Sequence, residues 1–272
     1  MHLGATIRLL RLDAGFSLRD LAQRIGVSSA YLSRVEHGHD AVPTPDRLEA
    51  IARELGVPPH VLVGAAHKVG PAIERYAEAV PSAGMLFLDI ARRRLGPAEI
   101  ARIRSFVDRE FPAPEHAAEE RPSLARLLSP ERVILHLTCP GLEDALEIAA
   151  SRFSRPRGGP SVRRLVTEIL AREEAASAAL GCGVMLPHGI FDSMPSSAVL
   201  VTLARPLVLR EAPDGEPIRL LLVLVLGEPC RGRLALLAHV ARLASDGLAD
   251  RIAAAKSPEE AIRGVEEMEE GG

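Results

Sequence analysis

The densest grouping of groups able to handle protons and phosphate lies between residues 172 and 189. It runs Arg172-Glu173, Ser177, Gly181, Gly183 and then Leu186-Pro187-His188-Gly189. An imidazole titrates close to neutrality and carries a nucleophilic nitrogen, so it serves as acid, base or covalent acceptor. Pro187 fixes the backbone before the ring and Gly189 clears room after it. His188 is therefore expected at the end of a short strand fed by a glycine-rich turn. Taken alone, Pro-His-Gly also fits a plain turn with a partly exposed histidine. Cys182 lies close by in sequence but has no activating partner of its own, which favours an inert thiol.

A second grouping, residues 17 to 38, carries recognition rather than catalysis. Ser17 is placed to cap a helix that turns Leu18, Leu21, Ala22 and Ile25 inward, and Gly26 supplies a left-handed turn. Ser28 or Ser29 caps the next helix, which Leu32 and Val35 pack against the first. Ser29, Ala30, Ser33 and Arg34 are left on the outer face near its N-terminal end, a shape the major groove of duplex DNA admits. His37 and His39 follow that helix, where contact with phosphate and a plain surface loop are equally open.

The elements that must hold these groups differ along the chain. Residues 1–65 read as short amphipathic helices punctuated by Gly15, Gly26, Gly38, Pro43, Pro45 and Gly56. Helical spacing continues over Pro71 to Ala79, Gly84 to Leu95 and from Pro97 through Val107. The proline- and charge-rich stretch 111–122 marks an exposed linker. Beyond it, strand-like runs at Val133 to Leu137, Ala198 to Leu203 and Ile218 to Leu226 alternate with helical patterns at 141–153, 160–177 and 231–245, which implies an α/β layered fold. His136 in the first strand and His239 in the late helix are expected to be partly buried and structural. The acidic tail at 265–270 reads as a solvated helix end.

Composition narrows the class. The 272 residues are 47% apolar and 25% charged, the balance of a packed globular protein. The longest aliphatic run, Leu220 to Leu226, is far short of the ~20 residues of a membrane helix. Cys139, Cys182 and Cys230 stand too far apart for a metal or redox pair, so no metal and no cofactor is expected, and a reducing cytoplasm fits best. Aromatics are 3% with no Trp, which disfavours stacking on splayed bases and leaves duplex as the nucleic acid to expect. Residues 1–65 and 66–122 are each charge-neutral, so the whole net charge of −3 falls in the remainder.

Two family resemblances organise these readings. Residues 3–64, through the pattern LAxxxGVSxxYLSRVExG, resemble the Cro/repressor-type (XRE) helix-turn-helix domain, a five-helix DNA-binding unit. The resemblance implies Ser29, Ala30 and Arg34 at base-facing positions with Ser33 beside them, and Ser28 at a phosphate. It also implies Arg11 paired with Glu36 between the first and third helices. Leu18 departs from the polar residue often used there for a phosphate contact.

Residues 123–268 resemble the type-2 enzyme IIA domain of the fructose, mannitol and nitrogen branch of the sugar phosphotransferase system. Arg172-Glu173, Ser177, Gly181, Gly183 and Leu186-Pro187-His188-Gly189 fall in register with its motifs without a gap. The segments LLSPERVILHLTCPGLEDALEIAA and GRLALLAHVARLAS resemble its opening strand and helix and its late helix. The resemblance implies that His188 accepts a phosphoryl group from a histidine-phosphorylated carrier protein, with Arg172 near the added charge. Ala178 and Ala179 stand where Thr and Gly are common, and Cys182 where Asn is common. Arg233 stands where the late helix usually carries a second histidine. A guanidinium does not shuttle protons at neutral pH but pairs well with phosphate, so it favours keeping a phosphoryl group over passing it on.

The expected organisation is a multi-domain chain. An all-α helix-turn-helix domain over 1–66 and a helical connector over 67–111 that forms a homodimer are followed by a linker over 112–122. An α/β layered enzyme IIA-like domain with a mixed sheet fills 123–270. The expected function is transcription regulation at a duplex operator, sensed through His188. A phosphorylation-dead binding platform and a working phosphotransfer protein are the alternatives.

Overall fold

A computed structural model describes residues 3–40, 42–59, 62–63, 66, 76–111, 122–154, 159–175, 177–209, 212–227 and 232–271. Four short helices open the chain: α1 (Leu3–Asp13), α2 (Leu18–Arg24), α3 (Ser29–Glu36) and α4 (Pro45–Leu55). Ser17 accepts from the Asp20 N–H while Asp20 accepts from the Ser17 N–H, both at 3.1 Å, a reciprocal cap that fixes where α2 begins. Ser28 caps α3 by accepting from the Tyr31 N–H at 3.1 Å. Leu21, Ala22, Leu32, Val35, Leu48, Ile51 and Leu55 close the core of this unit. A Cβ on Gly4 would stand 2.2 Å from the Val35 carbonyl oxygen, so α1 crosses the end of α3 at a distance only glycine allows. The fifth helix expected of this unit falls largely outside the described residues, as does the first part of the helix expected over Pro71 to Ala79.

Two longer helices follow, α5 (Pro81–Arg93) and α6 (Pro97–Glu110), each with proline in its first turn. No side chain of α5 is buried, and Met85, Leu86, Phe87 and Leu88 are each at least half exposed. Residues 112–121 of the expected linker lie outside the described residues.

From Val133 onward the chain builds β1 (Val133–Leu137), α7 (Leu142–Ser151), α8 (Val162–Ala175), β2 (Ala179–Gly181), β3 (Val184–Met185), β4 (His188–Ile190), β5 (Ser197–Leu207) and β6 (Ile218–Leu226). It ends with α9 (Arg233–Ser245), α10 (Leu248–Ala253) and α11 (Pro258–Gly271). The sheet runs β1-β5-β6-β3-β2, with β4 also on β6. Pairs β1·β5, β3·β6 and β4·β6 are parallel, while β5·β6 and β2·β3 are antiparallel. The sheet is therefore mixed, and the chain is a multi-domain assembly of a helical N-terminal region and an α/β domain.

Side-chain alternation along β6 sorts the two faces. Leu220, Leu222, Leu224 and Leu226 pack with Leu237, Val240 and Leu243 of α9, Leu248 and Ile252 of α10, and Val265 of α11. Leu221, Val223 and Val225 pack instead with Leu146 of α7 and Leu165 and Ile169 of α8. The first of these clusters does not stop at the domain. It continues into Leu3, Ile7, Leu9 and Leu10, because α1 lies against β2 and α9.

Three local expectations need correction. His188 begins a strand rather than ending one: Pro187 has no N–H to donate and splits the run, so the ladder to β6 resumes at His188 opposite Leu224. His136 is exposed, because a bulge with φ +54° turns it out of β1 while its N–H bonds the Thr202 hydroxyl at 2.7 Å. The tail is not simply solvated. Glu269 accepts from the Leu124 N–H at 2.6 Å and the Ser123 hydroxyl at 2.8 Å, and it lies 2.8 Å from His239 Nε2. Burial raises the Glu269 carboxyl, but the hydrogen bonds from His239, Ser123 and Leu124 and the His239 charge outweigh it and hold its pKa below the ordinary value.

Candidate functional site

The backbone of β4 and β6 seats His188. The Leu224 N–H donates to the Pro187 carbonyl at 2.9 Å, which clamps the residue before it onto β6. A Cβ on Gly189 would stand 2.6 Å from the Phe191 ring and 3.3 Å from Ile169, so glycine is what lets β4 lie against α8. Upstream, Gly181, Cys182 and Gly183 all have positive φ, which makes the tight turn between β2 and β3. The Cys182 N–H is held by Asp214 at 2.6 Å. Burial first, and nearby carboxylates after it, push the Cys182 thiol above its usual range, which suits an inert thiol. Glu173 accepts from the Ala178 N–H at 2.8 Å, pinning the turn that leads into β2.

The imidazole is 1% exposed and its two nitrogens face different groups. Nδ1 lies 2.9 Å from the Leu186 carbonyl, an oxygen that can only accept, so Nδ1 carries the proton. That leaves the lone pair of the neutral ring on Nε2, which accepts from Arg172 Nε at 3.1 Å. Nε2 is thus the nucleophilic nitrogen, with a guanidinium already beside it.

The structure adds a residue that the sequence reading did not single out. Asp13, the last residue of α1, is wholly buried at its carboxylate and enters this site from the N-terminal region. Its Oδ1 lies 3.2 Å from His188 Nε2 and is ion-paired with Arg172 Nη2. Its Oδ2 accepts from Arg233 Nε at 2.7 Å, and its backbone carbonyl accepts from Arg233 Nη2 at 3.2 Å. His188, Arg172 and Arg233 therefore converge, with Arg233 reaching the histidine through Asp13. Burial raises the Asp13 carboxyl, but the hydrogen bond and charge that His188 supplies when Nε2 is also protonated, and then the charges of Arg172 and Arg233, lower its pKa by more; in the neutral ring Nε2 keeps its lone pair and gives Asp13 no such bond. One carboxylate against two guanidinium groups leaves the site positive.

The outer face of α3 lies elsewhere. Ser28, Ser29, Ala30 and Arg34 are exposed and Ser33 is half-buried. Arg34 Nε donates to Asp40 at 3.0 Å in a solvent-exposed pair. The Ser28 hydroxyl accepts the cap bond of α3, leaving its own proton to donate. Behind this face Arg11 and Glu36 form a bidentate pair, Nε–Oε1 at 2.6 Å and Nη2–Oε2 at 2.9 Å, with side chains 8% and 1% exposed. His37 and His39 stack with ring centroids 6.1 Å apart.

Comparison with known proteins assigns both halves. The family described as phosphoenolpyruvate-dependent sugar phosphotransferase system, EIIA 2, matches residues 126–268, more than half of the chain. The chain belongs to this family. Ahead of its EIIA domain, residues 2–63 match a helix-turn-helix domain model. The EIIA half is similar to the nitrogen regulatory protein of Klebsiella oxytoca, 32% identical over 141 residues that cover 50% of this chain and 86% of that protein. The N-terminal part is similar to the HTH-type transcriptional regulator SinR of Bacillus subtilis (strain 168), 33% identical over 66 residues that cover 24% of this chain and 60% of SinR. Among solved structures, nitrogen regulatory protein IIA-Ntr from Neisseria meningitidis is 23% identical with a TM-score of 0.48, covering 52% of this chain and 97% of its own. Among the described residues, no helix of this EIIA-family protein is long and apolar enough to cross a membrane.

Proposed function

We propose that this chain is a DNA-binding transcription regulator, and that its EIIA domain senses the phosphotransferase system by accepting a phosphoryl group on His188. The observation that carries the reading is the Nε2 lone pair beside Arg172, with Nδ1–H tied to the Leu186 carbonyl. In the transfer, Nε2 attacks phosphorus of a histidine-phosphorylated carrier protein. The donor's N–P bond breaks, the electron pair stays on the donor imidazole, and an Nε2–P bond forms while the proton stays on Nδ1, hydrogen-bonded to the Leu186 carbonyl. Arg172 and Arg233 neutralise the phosphoryl oxygens. With Arg233 in place of a proton-shuttling histidine, the domain holds the group as a signal rather than relaying it.

The readout is a duplex operator bound by α3 through Ser29, Ala30, Ser33 and Arg34, with Ser28 at the backbone. Two copies are needed for two half-sites, and the exposed apolar side chains of α5, with Phe106 and Val107 of α6, support a homodimer through the connector. A duplex operator and a phosphotransferase-system donor as partners support a cytoplasmic location. The decisive experiment incubates the pure full chain with phosphorylated carrier and measures acid-labile phosphate on wild type and His188→Ala. Uptake by wild type alone supports the reading. Equal uptake by both moves the acceptor elsewhere, and none in either leaves the domain a binding platform.

A further inference from the structure

The contact between Asp13 and the His188 site has no role in either domain's own chemistry. Asp13 ends the first helix of the DNA-reading unit, yet its partners Arg172, His188 and Arg233 all belong to the EIIA domain, more than 150 residues away in sequence. Its carboxylate sits where an anion on Nε2 would have to sit: against the nucleophilic nitrogen, between the two guanidinium groups. Packing supports the contact, since α1 lies along β2 and α9 and shares their apolar cluster through Leu3, Ile7, Leu9 and Leu10.

We infer that Asp13 is a built-in occupant of the phosphoryl seat, so that a phosphoryl group on His188 and docking of the DNA-reading unit onto the EIIA domain exclude one another. This rests on His188 being the acceptor. Two anions do not share one pair of guanidinium groups at hydrogen-bond distance of the same nitrogen. Phosphorylation therefore replaces a monoanion by a group of about −1.5 to −2 charge and expels α1. The exposed face of α3 is not covered in the docked state, so docking does not mask the reading helix. It fixes where that helix stands, and release leaves the unit on its tether. Coupling of this kind is reciprocal: whatever holds the unit away from the EIIA domain favours the phosphorylated state of His188.

The test uses the full-length protein and two probes of His188. Diethyl pyrocarbonate reports access to the imidazole without any phosphoryl chemistry, read by mass spectrometry on the His188 peptide. Phosphoramidate, a small donor whose P–N bond breaks with loss of ammonia as Nε2–P forms, reports acceptance. Asp13→Asn should raise both rates about tenfold or more, the scale expected when one partner of a buried charge pair is truncated. Phosphorylated wild type should scatter X-rays with a larger radius of gyration than the unmodified protein, a comparison that needs no variant to fold. Equal carbethoxylation of wild type and Asp13→Asn, with an unchanged radius on phosphorylation, overturns the inference while leaving His188 the acceptor. Absence of uptake in both proteins overturns the acceptor reading, and the inference with it.

Discussion

Asp13 Oδ1 stands 3.2 Å from His188 Nε2, although the two residues belong to different domains. The partners facing Asp13 are His188, Arg172 and Arg233, and together they lower its pKa below the ordinary carboxylate value despite burial. A group whose folded pKa is depressed stabilises the fold fully above its unfolded pKa, and loses that contribution as pH falls through the folded value. The thermal midpoint of wild type should therefore exceed that of Asp13→Asn at about pH 7, and the gap should close towards about pH 3. A gap that stays constant to acid pH would show that the charge on Asp13 does not hold the domains together.

Arg11 and Glu36 tie the first helix to the third from inside the core, with both side chains nearly free of solvent. Breaking a buried pair from one side leaves an uncompensated charge, so Glu36→Gln should cost about 3 to 5 kcal/mol in thermal or denaturant unfolding. A loss below about 1 kcal/mol would put the pair in the class of solvent-screened contacts.

Arg34 is held by Asp40 in an exposed pair, which the base contact proposed for Arg34 would have to break. Arg34→Ala should weaken operator binding by about 1 to 3 kcal/mol and relax preference at one base position. Asp40→Asn should do the reverse and tighten binding by up to about 1 kcal/mol, the ceiling for a surface pair. Unchanged site selection by Arg34→Ala in a bound-sequence selection would remove Arg34 from the readout.

Arg233 supplies charge to the seat beside His188 but no transferable proton. Arg233→His should shorten the lifetime of phosphohistidine at His188 and reduce the effect of phosphorylation on DNA affinity. The decay of acid-labile phosphate, followed in the full chain, measures this directly. A lifetime equal to or longer than that of wild type would mean that Arg233 does not retain the group.

The strands legible in the sequence were those whose signal is continuous. Ile218–Leu226 and Val133–Leu137 are long aliphatic runs bounded by turn residues, and the mixed α/β domain follows from their alternation with helices. Around His188 the grouping of Arg172, Gly181, Gly183 and Pro187 was equally visible, because one short segment carries most of it. What was hidden depended on backbone detail or on distant contacts. The bulge that expels His136 is set by its partner strand, and the split at Pro187 by where β6 resumes pairing. Asp13 was hidden for another reason: nothing in α1 distinguishes an acid facing solvent from one facing another domain.

Glu269 gives the molecule a mechanical property. It grips the Leu124 N–H and the Ser123 hydroxyl, where the chain enters the EIIA domain from the linker, and it faces His239 of α9. Arg233 stands six residues earlier on that same helix. A pull on Ser123 and Leu124 thus arrives first at a carboxylate on α11 and then, through His239, at α9, which carries Arg233. The start of the EIIA domain and the Arg233–Asp13 ion pair are joined through two helices, α11 and α9.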